Sequence, residues 1–331
     1  MVQIGPEQIE LIYDYGVHLS GTLVWFDPTR AREFSLLSSA RHHLGDRQKR
    51  VLMSEPTSRL LSAVSGKRAR GLVSPFHRPF TLGNLRIEMF PSGYMWGASS
   101  FRVTLGSGHT VVYSGPFASQ RNRTAEKPEI MNCDTLILDA TYGHPDDRHP
   151  PQANVEASIL DWTQQTLANG DMPVILVANP GKAQDLVQAL GQAETPIRVH
   201  RQIHAYNRGY QALGIDLPDT RQFRGAPSKG EVLIWPSHLK KSTSIRNLKR
   251  VKFAALTGRD DIAGVTRRMR VANVFPWSVR SDYDGLLKYV KKCKPGRIIT
   301  VGRHAERLAS ELSQKGYTAE ALPLQPQLRL I

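Results

Sequence analysis

The hydrophobic period of the chain changes near residue 150, and that change limits the fold more than any other feature. Before it, short apolar runs alternate with turn residues. Residues 21–28 form an apolar run stopped by Pro28, and 33–38 form a second. Residues 85–90 alternate charged with apolar side chains. Residues 101–105 and 110–113 flank a glycine-containing turn, the pattern of a hairpin. Residues 135–139 read as a buried strand ending on the carboxylate of Asp139. Beyond residue 150, helical periods alternate with strands. Asn154 is placed to cap a helix over 155–169, stopped by Gly170. A strand at 173–178 precedes a helix over 181–190 with Pro180 at its start. A helix over 203–213 and strands at 231–235 and 252–256 follow. Ser281 is placed to cap a helix running to residue 292, ahead of a strand at 297–301 and a helix over 305–315. Such alternation predicts parallel α/β layers. The fold class is therefore α/β, with a strand-rich opening.

A chain of 331 residues is long enough to bury a large core. With 40% hydrophobic and 22% charged residues it is not a disordered chain. No apolar run approaches the roughly 20 residues that cross a bilayer, and the first ten residues lack the apolar core of a signal peptide. A cytoplasmic protein without a membrane partner is expected. The two cysteines, Cys133 and Cys293, stand far apart without a CxxC partner, which reads as two reduced thiols.

Charge is more informative. Lys and Arg number 44 against 29 Asp and Glu, a net +15 that favours DNA or RNA as a partner. Lys240, Lys241, Arg246, Lys249, Arg250 and Lys252 form one dense group, followed by Arg267, Arg268 and Arg270. Arg41, Arg47, Lys49 and Arg50 form another, and Lys67, Arg68 and Arg70 a third. Each alone reads equally well as a solvated loop; together they suggest a surface that tracks phosphates.

Ordered landmarks then carry a family resemblance. Phe26-Asp27-Pro28, followed by the segment around Ser39 and Arg41, resembles the opening of metallo-β-lactamase-fold nucleases that carry a β-CASP domain. The ligase-associated DNA exonuclease and mRNA 3′-end-processing-factor-like branch is the most similar. In that family an IDP strand leads to HxHxDH, whose ligand positions fall here on Ser39, Arg41, His43 and Leu44. The PAGHxxGS motif is matched by Pro91-Ser92-Gly93-Tyr94, with Tyr94 where the histidine belongs. YSGD is matched by Tyr113-Ser114-Gly115-Pro116, with Pro116 in place of aspartate. Asp139-Ala140-Thr141-Tyr142-Gly143 keeps its motif, and Gly181-Lys182-Ala183-Gln184 matches GKAQ. In the late motifs, Arg280 and Val301 stand where two histidines belong.

The resemblance implies an αββα sandwich formed by residues 1–149 and 246–331, with an α/β β-CASP domain inserted over 150–245. It also implies two zinc ions and phosphodiester hydrolysis in active relatives. Ser, Leu, Tyr, Pro and Val at ligand positions cannot hold zinc, and a guanidinium repels it. The leading expectation is a catalytically inactive homologue with no cofactor. It binds nucleic acid, or joins a nucleic-acid-processing complex beside an active nuclease, helicase or ligase. A second reading is an active exonuclease with an unorthodox zinc site around Asp139, His42 and His43; His18 and His304 are further candidates for a single-metal site. A third is a purely structural subunit. Candidate nucleic-acid contacts are Arg41, Lys182, Lys240, Lys241, Arg246, Lys249, Arg250 and Arg280. Arg41 and Arg280 either face a cleft and hold a phosphate, or pair internally with Asp139 or Asp282.

Overall fold

The structure is a computed structural model that describes residues 9–41, 50–120, 122–178, 180–225, 230–258 and 262–323. Six short strands form the first sheet: β1 (Leu11–Tyr13), β2 (Val17–Leu19), β3 (Val24–Phe26), β4 (Phe34–Leu36), β5 (Val51–Met53) and β6 (Leu72–Val73). Helix α1 (Glu55–Ser65) leaves β5 at Ser54, whose hydroxyl accepts the Thr57 N–H at 3.2 Å. The second sheet begins with β7 (Phe80–Leu82), β8 (Leu85–Pro91), β9 (Ser99–Thr104), β10 (Thr110–Tyr113) and β11 (Thr135–Asp139). The hairpin expected over 101–113 is present, with Thr104 opposite Thr110. The chain then crosses over, so that β11 joins β10 in parallel.

The third sheet is wholly parallel, in the order β14-β13-β15-β12-β16-β17. Its strands are β12 (Met172–Val177), β13 (Ile197–Val199), β14 (Arg221–Gln222), β15 (Val232–Pro236), β16 (Val251–Thr257) and β17 (Asn273–Pro276). Period-two alternation decides its two faces. Ile175 and Val177 join the core made with α2 (Gln152–Ala168), α3 (Lys182–Gln192) and α4 (Arg201–Ala212). Val174 and Leu176 pack on the opposite face with Trp235 and with Ile245 of the short α5 (Thr243–Arg246). Helix α6 (Ile262–Met269) leads to β17. Strands β16 and β17 pair in this sheet, so its sequence span runs past residue 245, where the resemblance had closed the inserted segment.

The chain then returns through α7 (Tyr283–Cys293) to β18 (Arg297–Val301), α8 (Ala305–Gln314) and β19 (Ala319–Ala321), which complete the second sheet. The first two sheets face each other through Phe26, Phe34 and Leu36 on one side and Ile87, Phe101 and Ile137 on the other. Behind the second sheet, Val112, Leu136 and Ile298 pack on Leu286 and Val290 of α7 and on Leu308 of α8. Behind the first, Leu37, Val51 and Met53 pack on Leu61 of α1. The order is helix, sheet, sheet, helix, as the αββα resemblance implies.

Local details differ from the sequence reading for identifiable reasons. Asn154 lies inside the first turn of α2, because Pro151 with its fixed φ already serves the entry. Helix α3 starts at Lys182, with Gly181 at φ 86° as its cap rather than as a helical residue. Asp282, not Ser281, caps α7: its Oδ1 accepts the Gly285 N–H at 2.9 Å. Cys133 and Cys293 are distant in sequence, yet their sulfurs lie 3.3 Å apart in a buried site between β11 and α7. Among the described residues, no helix is long and apolar enough to cross a membrane.

Candidate functional site

Strands β10, β11 and β18 are parallel, so their C-terminal ends present side chains along one edge of the second sheet. Asp139 and Val301 end β11 and β18 in register, and the Ala140 N–H donates to the Val301 carbonyl at 2.7 Å. The Asp139 N–H donates to Ser114 Oγ at 3.0 Å, which ties in the loop after β10. Asp27, at the end of β3, braces the neighbouring strand ends. Its carboxylate accepts the Ser38 N–H at 2.7 Å, the Ser38 hydroxyl at 2.5 Å and the Tyr113 hydroxyl at 3.0 Å.

On this edge five side chains form a continuous set of contacts. Asp139 Oδ1 accepts the Thr141 N–H at 2.9 Å and the Thr141 hydroxyl at 2.5 Å. Asp139 Oδ2 accepts Arg280 Nη1 at 3.1 Å, and Nη1 also reaches Thr141 Oγ1 at 3.0 Å. The Arg280 guanidinium lies over the Tyr94 ring, 4.9 Å from its centroid. The Tyr94 hydroxyl accepts Arg41 Nη1 at 3.0 Å. Of the two carboxylates offered to Arg280 by the sequence, Asp139 takes it, while Asp282 is occupied at the start of α7. Ser39 is fully buried two residues before Arg41. Pro116 is buried two residues after Ser114, and its carbonyl accepts the Ser92 hydroxyl at 2.9 Å. His43 and Leu44, with His42, lie outside the described residues.

The charges act strongly on one another. Burial pushes the Tyr94 phenol up, but the Arg280 and Arg41 guanidiniums outweigh it and leave the group below its ordinary value. Burial, with Asp27 and Asp139 nearby, pushes Tyr113 well above. Burial opposes the charge of Arg280, yet Tyr94, Asp139 and Tyr142 more than offset that and raise its pKa. Lys182, the first residue of α3, is pulled down to about 7 by burial and by the positive charges of Arg41 and Arg280.

These residues do not suit the two zinc ions implied by the resemblance. Among the described residues, no group of three or more His, Cys, Asp or Glu side chains stands together to hold a metal. Both oxygens of Asp139 are engaged. The cavity beside it, lined by Asp139, Thr141, Tyr142 and Arg280, measures about 10 Å³. That is room for roughly one water molecule. At the position that the resemblance aligns with a metal-binding histidine, Arg280 carries a permanently protonated guanidinium.

A larger cleft opens on the other side of Arg280, between the second and third sheets. Its volume is about 320 Å³, and Arg41, Tyr94, Lys182, Thr257, Arg268 and Arg280 are among its lining residues. No carboxylate lines it among the described residues. Arg268 belongs to α6 and enters the cleft past the C-terminal end of β16, a place where α/β sheets commonly form crevices. In the sequence Arg268 stands in a basic run, eleven residues past the end of β16 and in the last turn of α6, and no local signal sets it apart from surface charge. Among the other candidates, Lys240 is tied to the carbonyls of Met269 and Arg270 at the end of α6. Arg250 is tied to Asn169 and Asp171. Lys241, Arg246 and Lys249 are exposed, in a segment that begins at the cleft-lining Ser237.

No protein-family model matches the chain. A "Probable DNA ligase" of Opitutus terrae is 28% identical over 319 residues, covering 96% of this chain and 31% of the relative. An "Uncharacterized protein in lig 3′region" of Acidianus ambivalens is 33% identical over 105 residues, covering 32% of this chain and 71% of that one. "Endoribonuclease ysh1" of Aspergillus fumigatus is 28% identical over 120 residues, covering 35% of this chain and 13% of the relative. The chain thus spans under a third of the length of the ligase and of the endoribonuclease. A solved protein of unknown function from Enterococcus faecalis shares the fold, with a TM-score of 0.57 at 11% identity, covering 88% of this chain and 79% of that one.

Proposed function

The chain belongs to the β-CASP family of metallo-β-lactamase-fold proteins, and from that premise we propose that it binds nucleic acid without cutting it. The observation that supports this reading is the Arg280 guanidinium bonded to Asp139, two positions that the resemblance aligns with metal ligands. The net charge of +15 supports nucleic acid as the ligand. The ligase relative, which matches 96% of this chain, favours DNA over RNA and a ligase as the working partner. Arg41, Lys182 and Arg280 serve the cleft, while Lys241, Arg246 and Lys249 extend the basic surface from its rim.

Fluorescence anisotropy with labelled DNA and RNA, between about 50 and 200 mM salt, tests the reading. Affinity is expected to fall steeply with salt. The combined Lys241→Ala, Arg246→Ala and Lys249→Ala variant is expected to lower the logarithmic salt slope by about 2–3, roughly one per phosphate contact. A chain that binds neither nucleic acid at low salt is a structural subunit instead, and the proposal falls.

A further inference from the structure

Lys182 presents a problem that phosphate tracking on the surface does not answer. The residue is 8% exposed, and among the described residues no carboxylate or hydrogen-bond acceptor meets its amine. Every neighbour that acts on it is positive. Arg41 reaches the cleft from the loop after β4, and Arg280 from the segment before α7. Arg268 lines the same cleft from α6. Lys182 also opens an 11-residue helix, whose dipole adds positive potential at that end. Asp139 balances Arg280, but no described carboxylate lines the cleft to balance Arg41, Lys182 and Arg268. A buried ammonium in such a place either gives up its proton or takes an anion.

We propose that the cleft is a proton-linked site for a tetrahedral dianion of the phosphate class, and that Lys182 takes up a proton when the dianion enters. The inference rests on the nucleic-acid reading only for the source of the phosphate; charge and volume carry the site itself. About 320 Å³ admits a phosphate together with the sugar that bears it. Guanidiniums of Arg41 and Arg268 offer forked donors, and the Thr257 and Tyr142 side chains line the same space. The titratable and charged groups around Lys182 are Arg41, Tyr94, Tyr142, His149, Arg268 and Arg280, with Asp139 behind Arg280 and Asp185 one turn along α3, where its carboxylate accepts the Thr124 N–H and hydroxyl. Burial holds His149 below its ordinary value, and its Nε2 pairs with the Gly258 carbonyl at 3.0 Å, so it is neutral near pH 7. The arginines keep their charge throughout; Tyr94, held below its ordinary value by Arg280 and Arg41, is the other group that can titrate, and Lys182→Met separates its contribution from that of the lysine.

Calorimetric titration of the whole chain with sodium sulfate, from about pH 6 to 9 in buffers of different ionisation enthalpy, tests this. Sulfate stays a dianion across that range, so any pH effect belongs to the protein. The sulfate Kd is expected to rise by up to about tenfold per pH unit above neutrality, with uptake of nearly one proton per sulfate. Lys182→Met is expected to bind sulfate weakly, without pH dependence and without proton uptake. Arg268→Gln is expected to weaken binding at every pH while keeping the proton uptake. Thermal melting of both variants checks that they fold. Competition then identifies the source. Displacement of sulfate only by oligonucleotides with a terminal phosphate assigns a strand end. Displacement also by unphosphorylated strands assigns an internal phosphate, and displacement by inorganic phosphate alone assigns a free anion.

Failure of the wild-type chain to bind sulfate or phosphate overturns the inference, as does binding with no pH dependence. Sulfate binding without any oligonucleotide binding preserves the site and removes the nucleic-acid reading. Oligonucleotide binding without sulfate binding does the reverse.

Discussion

Arg280→Ala is expected to lower the stability of the chain by about 3 kcal/mol, the lower end of the cost of breaking a buried ion pair. The two side chains are 17% and 15% exposed, so water reaches the pair but does not replace it. Without Arg280, Asp139 keeps only the Thr141 donors and its backbone braces. The truncation opens the 10 Å³ space beside Asp139 toward the 320 Å³ cleft, so water replaces a fixed, charge-assisted donor in a mostly buried site. Asp139→Ala leaves the opposite charge stranded beneath Tyr94. The double variant removes both, so its loss is expected to be smaller than the sum of the single losses by more than about 1 kcal/mol. Urea unfolding of the four proteins measures that coupling. Additive losses would mean that the pair is not an interacting unit. Arg280→Lys is not expected to restore stability, because one ammonium cannot reach both Asp139 and Thr141 while lying over Tyr94.

Lys182→Met is expected to change stability in the opposite direction, and by an amount that depends on pH. The folded chain holds this amine at about 7, against 10.5 for an ordinary lysine. Between those values the unfolded chain binds the extra proton, so the stability of the native protein rises with pH across that window. The cost of the buried ammonium is complete below about pH 7 and disappears near pH 10.5. Methionine keeps most of the stem and removes the charge. In a buffer without multivalent anions, the variant is therefore expected to gain about 2–3 kcal/mol more at pH 6 than at pH 9. Unfolding curves at the two pH values check this. An equal effect at both would show that Lys182 is not held as a suppressed base.

How much of this was legible in the sequence follows from the reach of each signal. Strands β8 to β11 and β18 could be found, because alternating or continuous apolar runs between turns need only a few residues to show. The three-residue strands β1, β2, β5 and β13 carry too few positions for a period, and long-range pairing places them instead. Helix α1 begins with Glu-Pro and mixes serines through its length, so its apolar stripe is thin. The order of motifs located Arg41, Tyr94, Asp139 and Arg280, and in the structure these four touch in sequence. What the motifs left open was the partner of Arg280. That depended on Asp282 being needed at the N-terminus of α7, a matter of helix geometry.

Other features had no local signal. Cys133 and Cys293 meet because β11 and α7 pack together, which no spacing along the chain reveals. Lys182 stands in a GKAQ segment that reads as a contact at an entrance; its burial comes from the start of α3 packing against Tyr94, Met95 and Val279, which are distant in sequence. Arg268 sat in a run of basic residues that looked like surface, and only the arrangement of β16 and α6 turns it toward the cleft.

Zinc content and cleavage measured on one preparation, with binding recorded in parallel, test the central claim most directly. The chain is expected to hold far less than one zinc ion per molecule. It is also expected to leave end-labelled DNA and RNA intact with added zinc or manganese while it binds them. Stoichiometric zinc together with cleavage abolished by a chelator would contradict the account.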